Sequence, residues 1–185
     1  MKKVLVFLAD GFEECEGLLV VDILRRAGAE VTTASVMDRR RVCSSHKVEL
    51  YADVMAADVD PGGYDAVVLP GGIPGTPNLA AQPVVTETCC RFAAEGKLVA
   101  AICAAPSILG GLGLLEGKKA TVYPGMEDTL AGAQPTAGEV VVDGNIITSR
   151  SMGTAIPFAL TLTAQLFGAE SARELAEGIC YEHFA

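Results

Sequence analysis

The sequence predicts an α/β protein of the doubly wound type, in which helices cover both faces of a mostly parallel sheet. Three observations support this fold class. Short segments rich in valine, leucine and isoleucine alternate with segments whose apolar residues recur at helical spacing. The strand segments are continuously apolar, which is typical of parallel strands buried on both faces. Several of them stop at glycine or proline, residues that mark turns.

The first 54 residues contain two predicted strands, one helix and a polar excursion. The apolar run "KVLVFLA" (3–9) predicts the first strand, and "EECEGLLVVDILRRAG" (13–28) predicts a helix that ends at Gly28. The β-branched segment "EVTTASV" (30–36) predicts the second strand. The polar segment 39–54 is typical of a hairpin or an excursion rather than a helix.

The rest of the chain continues the alternation of strand and helix. Asp-Gly at 143–144 marks a hairpin, and Gly96 is a natural end for the helix before it. The predicted elements are strands in 64–72 and 98–105, helices in 83–97 and 106–115, a hairpin in 139–150, and closing helices in 154–168 and 171–184.

Composition limits the classes of function. With 185 residues, half of them hydrophobic, the chain is expected to form one domain, 1–185. A net charge of −9 argues against nucleic acid or an anionic membrane as a partner. No apolar stretch approaches the ~20 residues of a membrane span, and the run after the two N-terminal lysines is too short for a secretion signal. We therefore expect a cytoplasmic protein with reduced cysteines.

The ends of three predicted strands carry polar or flexible residues. In a flavodoxin-like strand order these strands are neighbours, and open parallel sheets bind ligands beyond the carboxyl ends of their strands. Glu16, the Gly71–Gly72 pair and Cys103 each follow one of these ends. We expect them to meet in one small cleft.

Cys103 occupies a predicted turn between a buried strand and a helix that starts near Pro106. Unpaired amides at a helix N-terminus favour a thiolate, and this turn is similar to the nucleophile turn of α/β-hydrolases. The amides of Gly71, Gly72 and Ala104 are candidates for an oxyanion hole.

Simpler interpretations exist for each of these residues. Cys103 alone in an apolar strand is also typical of inert core filling. Glu16 also fits a solvated position in an acidic first helical turn, and Gly71–Gly72 fits a plain turn. The other five cysteines are interpreted as structural thiols.

Five segments together resemble the ThiJ/PfpI superfamily, which is class I glutamine amidotransferase-like, and specifically its branch of the parkinsonism-associated protein deglycase and bacterial relatives. The resemblance covers nearly the whole chain in order and spacing. The segments are "GFEECE", "VDILRRAGAEVTTASV", "YDAVVLPGG", "AAICAAP" and "SRSMGTAIPFAL".

The resemblance implies roles for individual residues. Cys103 matches the nucleophilic, oxidation-sensitive cysteine, and Glu16 matches a protonated carboxylic acid beside it. Gly72 and Ala104 match amide donors. Two further residues match accessory positions: Arg26 an arginine near a dimer interface, and His46 a residue that reaches into a partner's cleft.

One position departs from the family pattern. Tyr123 stands where the animal deglycases and the protease-like members place a histidine beside the cysteine. A Cys-His dyad built from that position is therefore absent, which weighs against peptidase activity.

The resemblance and the residues lead to a cofactor-free enzyme that acts on small reactive dicarbonyls or early glycation adducts, with Cys103 as nucleophile and Glu16 as acid and base. A redox sensor or chaperone-like stress protein that uses oxidation of Cys103 is the alternative, and a cysteine peptidase or amidase is third. No metal or nucleotide motif is present, so we expect neither cofactor. The apolar first helix predicts a homodimer.

Overall fold

A seven-stranded sheet forms the centre of the structure, a computed structural model that describes residues 1–184. The strands of the chain are β1 Lys3–Leu8, β2 Glu30–Ser35, β3 Arg41–Cys43, β4 Glu49–Tyr51, β5 Val54–Met55, β6 Ala66–Leu69, β7 Leu98–Ile102, β8 Lys119–Ala120, β9 Gln134–Pro135, β10 Val140–Asp143 and β11 Ile146–Ser149. The α-helices are α1 Glu14–Arg26, α2 Gly75–Ala80, α3 Pro83–Glu95, α4 Pro106–Gly111, α5 Ala155–Phe167 and α6 Ala169–Gly178.

The order of the strands confirms the predicted flavodoxin-like α/β fold. The sheet runs β10-β11-β7-β6-β1-β2-β5, and only the β10–β11 pair is antiparallel. The three strands β1, β6 and β7 are neighbours, as the interpretation of their polar ends required. Their carboxyl ends therefore share one edge of the sheet.

Alternate residues of the central strands enter two separate cores. In β1, the side chains of Val4, Val6 and Leu8 pack on the face covered by α1 and α5. Leu5 and Phe7 pack on the opposite face with residues of α3 and α4. All five side chains are buried, which explains why the strand is continuously apolar.

The structure confirms one predicted helix end and corrects another. The helix that ends at Gly96 is confirmed: Gly96 takes φ +72 and closes α3. The last helix was expected to continue to residue 184, but α6 ends at Gly178, and Cys180 has φ +58, which no helix continues through.

The polar segment 39–54 forms a hairpin of β3 and β4 that lies outside the main sheet, and its last residue, Val54, begins the edge strand β5 of that sheet. Two backbone hydrogen bonds attach it to the loop after β1: Gly11 N donates to Cys43 O, and Ser45 N donates to Phe12 O. The tip of the hairpin is thereby held beside the start of α1. No helix among residues 1–184 is long and apolar enough to cross a bilayer.

Candidate active site

Cys103 stands on a sharp turn immediately after β7. Its backbone has φ +64, a left-handed conformation that costs free energy in a residue with a side chain. Two hydrogen bonds stabilise the turn: Cys103 N donates to Ser149 O at 3.0 Å, and Tyr123 N donates to Cys103 O at 2.8 Å. The turn leads within three residues into α4, which begins at Pro106. The strand-turn-helix geometry expected of a nucleophile is present.

Glu16 is buried in the first turn of α1, with 1% of its surface exposed. Its Oε2 accepts a hydrogen bond of 2.9 Å from Gly71 N. Oε1 has no hydrogen-bond partner among residues 1–184. The interpretation of Glu16 as a solvated, helix-stabilising residue is therefore wrong, and an unpartnered buried carboxyl oxygen is the kind of group that holds a proton.

Gly71 lies between the two reactive side chains. A Cβ atom on Gly71 would lie 2.6 Å from Cys103 Cβ and 2.7 Å from Glu16 Oε2, closer than atoms can pack. Gly72 has φ +94, and a Cβ there would lie 2.5 Å from Glu13 N. Gly71 and Gly72 therefore allow their loop to pack closely against the segments that carry Glu16 and Cys103, which a plain turn would not require.

The predicted oxyanion hole is wrong in one part, the amide of Gly71. That amide donates to Glu16, so it is not free to bind a substrate oxygen. The amides of Gly72 and Ala104 instead face the sulfur of Cys103 and lower its pKa. The candidate oxyanion donors are therefore two rather than three.

Burial controls the protonation of the pair. It raises the pKa of Glu16 to about 7, with a contribution from the Glu13 carboxylate, while the Cys103 thiol and the Gly71 amide oppose the rise. Burial and the negative charge of Glu16 raise the pKa of Cys103 to about 12, against the two amides. Burial and the Glu16 charge therefore oppose the thiolate that the helix terminus is expected to favour. The sulfur becomes negative only when Glu16 carries the proton.

A cleft of about 430 Å³ opens over the sulfur. It brings together the sequence-predicted residues Gly72, Cys103, Ala104, Tyr123 and His46. Glu16 lies beneath this surface and is not part of the lining.

His46 extends from the hairpin tip to the rim of the cleft of its own chain, whereas the resemblance implied a partner's cleft. Its Nδ1 lies 2.9 Å from Glu14 Oε1 and 4.0 Å from Glu13 Oε1. Within residues 1–184 these three side chains are the one group with metal-ligand spacing. Glu13 also caps α1, because its Oε2 accepts from Glu16 N at 2.8 Å.

Arg26 does not approach this cleft. It ends α1, ten residues after Glu16, which corresponds to about 15 Å along a helix. Its Nε pairs with Asp22 at 2.7 Å. Arg26 therefore lies away from the reactive cysteine of its own chain, and its place at a dimer interface stays a prediction.

Residues 2–165 match the model of the DJ-1/PfpI family. The chain belongs to the DJ-1/PfpI family. It is similar to oxidized Toxoplasma gondii DJ-1, with a TM-score of 0.95 and 39% identity over 99% of this chain and 100% of that chain.

Curated DJ-1/PfpI relatives agree with the assignment. Protein dj-1beta of Drosophila melanogaster is 40% identical over 96% of both chains. A protein named as a deglycase from Pyrococcus abyssi is 38% identical over 82% of this chain and 91% of its own. Protein DJ-1 homolog A of Arabidopsis thaliana is 43% identical over 95% of this chain, and the chain spans 45% of that relative's length.

Six residues that line this DJ-1/PfpI site were missed by the sequence analysis: Glu13, Ser45, Ile73, Pro124, Gly125 and Met126. Glu13 lines the cleft, and its signal was weak because glutamate is not among the preferred N-cap residues. Ile73 and Met126 also line the cleft from loops that follow β6 and precede β9. No periodic pattern marks a loop residue that tertiary packing brings to a site.

Proposed function

We propose that this protein is a cofactor-independent cysteine enzyme that acts on small reactive dicarbonyls or early glycation adducts. The observation that carries the proposal is the buried Glu16 carboxyl, which has a pKa raised to about 7 and faces the Cys103 thiol. An acid-base group with a pKa near neutral pH is well matched to moving protons. The relative from Pyrococcus abyssi that is named as a deglycase supports the same class.

In the first step, the Cys103 sulfur attacks the aldehyde carbon of the dicarbonyl, and a C–S bond forms as the C=O double bond opens. Glu16 takes the thiol proton. The developing oxygen anion accepts hydrogen bonds from the amides of Gly72 and Ala104. It then receives from Glu16 the proton that the thiol gave up, which gives a neutral hemithioacetal and leaves Glu16 as a carboxylate. No electrons enter or leave the site.

In the second step, Glu16 removes the hydrogen on the former aldehyde carbon, which gives an enediolate. The hydroxyl proton on that carbon moves to the neighbouring oxygen, and Glu16 returns its proton to the neighbouring carbon. The product is a thioester of a 2-hydroxy acid on Cys103. Water then attacks the thioester, the C–S bond breaks, and the hydroxy acid and the free thiol are released. The sum is dicarbonyl plus water to hydroxy acid, so no external oxidant or reductant is needed.

Steady-state turnover of methylglyoxal without glutathione tests the proposal. We expect multiple turnovers by the wild type, none by Cys103→Ser, and unchanged turnover by Cys90→Ser, a control at an exposed cysteine of α3. In D₂O the lactate formed should carry deuterium on its second carbon, because Glu16 exchanges its proton with solvent. A stoichiometric adduct on Cys103 without turnover would contradict the proposal.

A redox sensor or chaperone-like stress protein is the second candidate. Cys103 is partly exposed, and the amides of Gly72 and Ala104 that face its sulfur would also bind the oxygens of a sulfinate. The Toxoplasma gondii relative has a structure described as oxidized. Oxidation without dicarbonyl turnover would favour this candidate.

A peptidase or amidase is the third candidate and has less support. Tyr123 occupies the family's histidine position, and Nδ1 of His46 is in contact with Glu14.

We place the activity in the cytoplasm, because six free thiols are typical of a reducing compartment.

A further inference from the structure

A second cavity of about 450 Å³ lies beside the catalytic cleft. It is formed between α2, α3 and α4, and the side chains of Ile73 and Met126 line both spaces. Ile73 is exposed although it is large and apolar. The two cavities therefore adjoin each other and share Ile73 and Met126 as a common wall.

The turn that leads from Cys103 into α4 also adjoins both cavities. Ala104, which precedes α4, lines the catalytic cleft, and Ser107, in the first turn of α4, lines the second cavity. The Ser107 hydroxyl donates to Ala104 O at 2.6 Å, which links the floors of the two spaces. A chain of a few carbon atoms is long enough to connect them.

The lining of the second cavity is mainly apolar. Three residues that carry hydroxyl groups line it, but the hydroxyls of Thr86 and Ser107 donate to the backbone carbonyls of Pro83 and Ala104. The Thr76 hydroxyl is buried in the protein and is not open to the cavity. The cavity therefore suits an apolar group better than a polar one.

We infer that the second cavity binds the apolar tail of the substrate whose aldehyde reacts at Cys103. The inference rests on the proposed function and narrows its substrate class to 2-oxoaldehydes with an alkyl or aryl extension. An apolar cavity of about 150 Å³ is enough for benzene. Methylglyoxal, which has fewer non-hydrogen atoms than benzene, leaves the second cavity empty.

Comparison of 2-oxooctanal with methylglyoxal tests the inference. Each methylene that the second cavity removes from water should raise kcat/KM about fourfold. Gly111→Leu should abolish that gain and leave methylglyoxal turnover unchanged, because Gly111 lines the second cavity and a Cβ there meets nothing within 4 Å. Gly178→Leu is the matched control, since Gly178 also ends a helix, has the same free space and lines neither cavity.

The failure of this inference differs from the failure of the proposed function. Turnover of methylglyoxal with no gain for 2-oxooctanal, and no effect of Gly111→Leu, overturns the inference alone. If neither substrate is turned over, the proposed function is wrong, and ligand-observed NMR with the stable ketone 2-octanone still tests the cavity. Loss of 2-octanone binding in Gly111→Leu but not in Gly178→Leu supports the inference, and equal binding in both overturns it.

Discussion

At the scale of single residues, the Glu16 carboxyl and the Cys103 thiol compete for protons in a buried space. Glu16→Gln keeps a neutral donor of similar shape and removes the ability to transfer a proton. We expect methylglyoxal turnover to fall by ~100-fold or more, the usual size of an acid-base contribution. Oxidation of Cys103 by mild peroxide, followed by mass spectrometry, should persist because a neutral donor still faces the sulfur. Near-wild-type turnover would instead direct attention to Tyr123 or His46.

The pH dependence of folding provides a separate measure of the same carboxyl. Burial raises the pKa of Glu16 from 4.5 to about 7, so the folded protein keeps a proton that the unfolded chain has already released. The stability from this proton is complete below about pH 4.5 and is lost as the pH rises through about 7, a change on the order of 3 kcal/mol. Urea unfolding from pH 4 to 8 should show this loss in the wild type. Glu16→Gln should have a flatter profile, and identical profiles would refute the assignment.

At the scale of elements, the loop between β6 and α2 holds the reactive pair at its separation. Gly71→Ala would push a methyl group against both Cys103 and Glu16, so we expect turnover to fall by at least tenfold. Gly63→Ala is the control, because a Cβ there meets nothing within 4 Å. Circular dichroism checks that both variants fold. Full activity in Gly71→Ala would show that the pair tolerates a change in its spacing.

At the scale of the whole molecule, α1 retains apolar surface that the chain does not cover. The first helix carries six apolar residues, of which the structure buries Val20, Val21, Ile23 and Leu24. Leu18 is 42% exposed, and Leu19 lines a surface cleft with Ile156. We therefore predict a homodimer with α1 at its interface.

Sedimentation at micromolar concentration tests this prediction. Leu18→Glu should shift the protein toward monomer, because a charge is costly to bury in an apolar interface. Val142→Glu is the control: Val142 has a similar exposure of 41% but lies on the edge strand β10. A wild-type monomer, or equal dissociation in both variants, would contradict the prediction.

The sequence by itself determined the fold class and the three strand ends that form the site. Continuous apolar strands such as β1 leave one stable arrangement, a parallel sheet covered on both faces, and this arrangement places the ends of neighbouring strands together. Cys103, Glu16 and Gly72 were predictable for that reason.

Only the tertiary structure decided how these groups are charged and bonded. The Gly71 amide donates a hydrogen bond to Glu16, and His46 lies at the rim of the cleft of its own chain. Both features depend on contacts between residues that are distant in sequence. The protonation of Glu16 also depends on burial, which outweighs the helix N-terminus that would favour a carboxylate. Local pattern indicates which residues reach the edge of the sheet, whereas desolvation and hydrogen-bond partners are properties of the packed molecule.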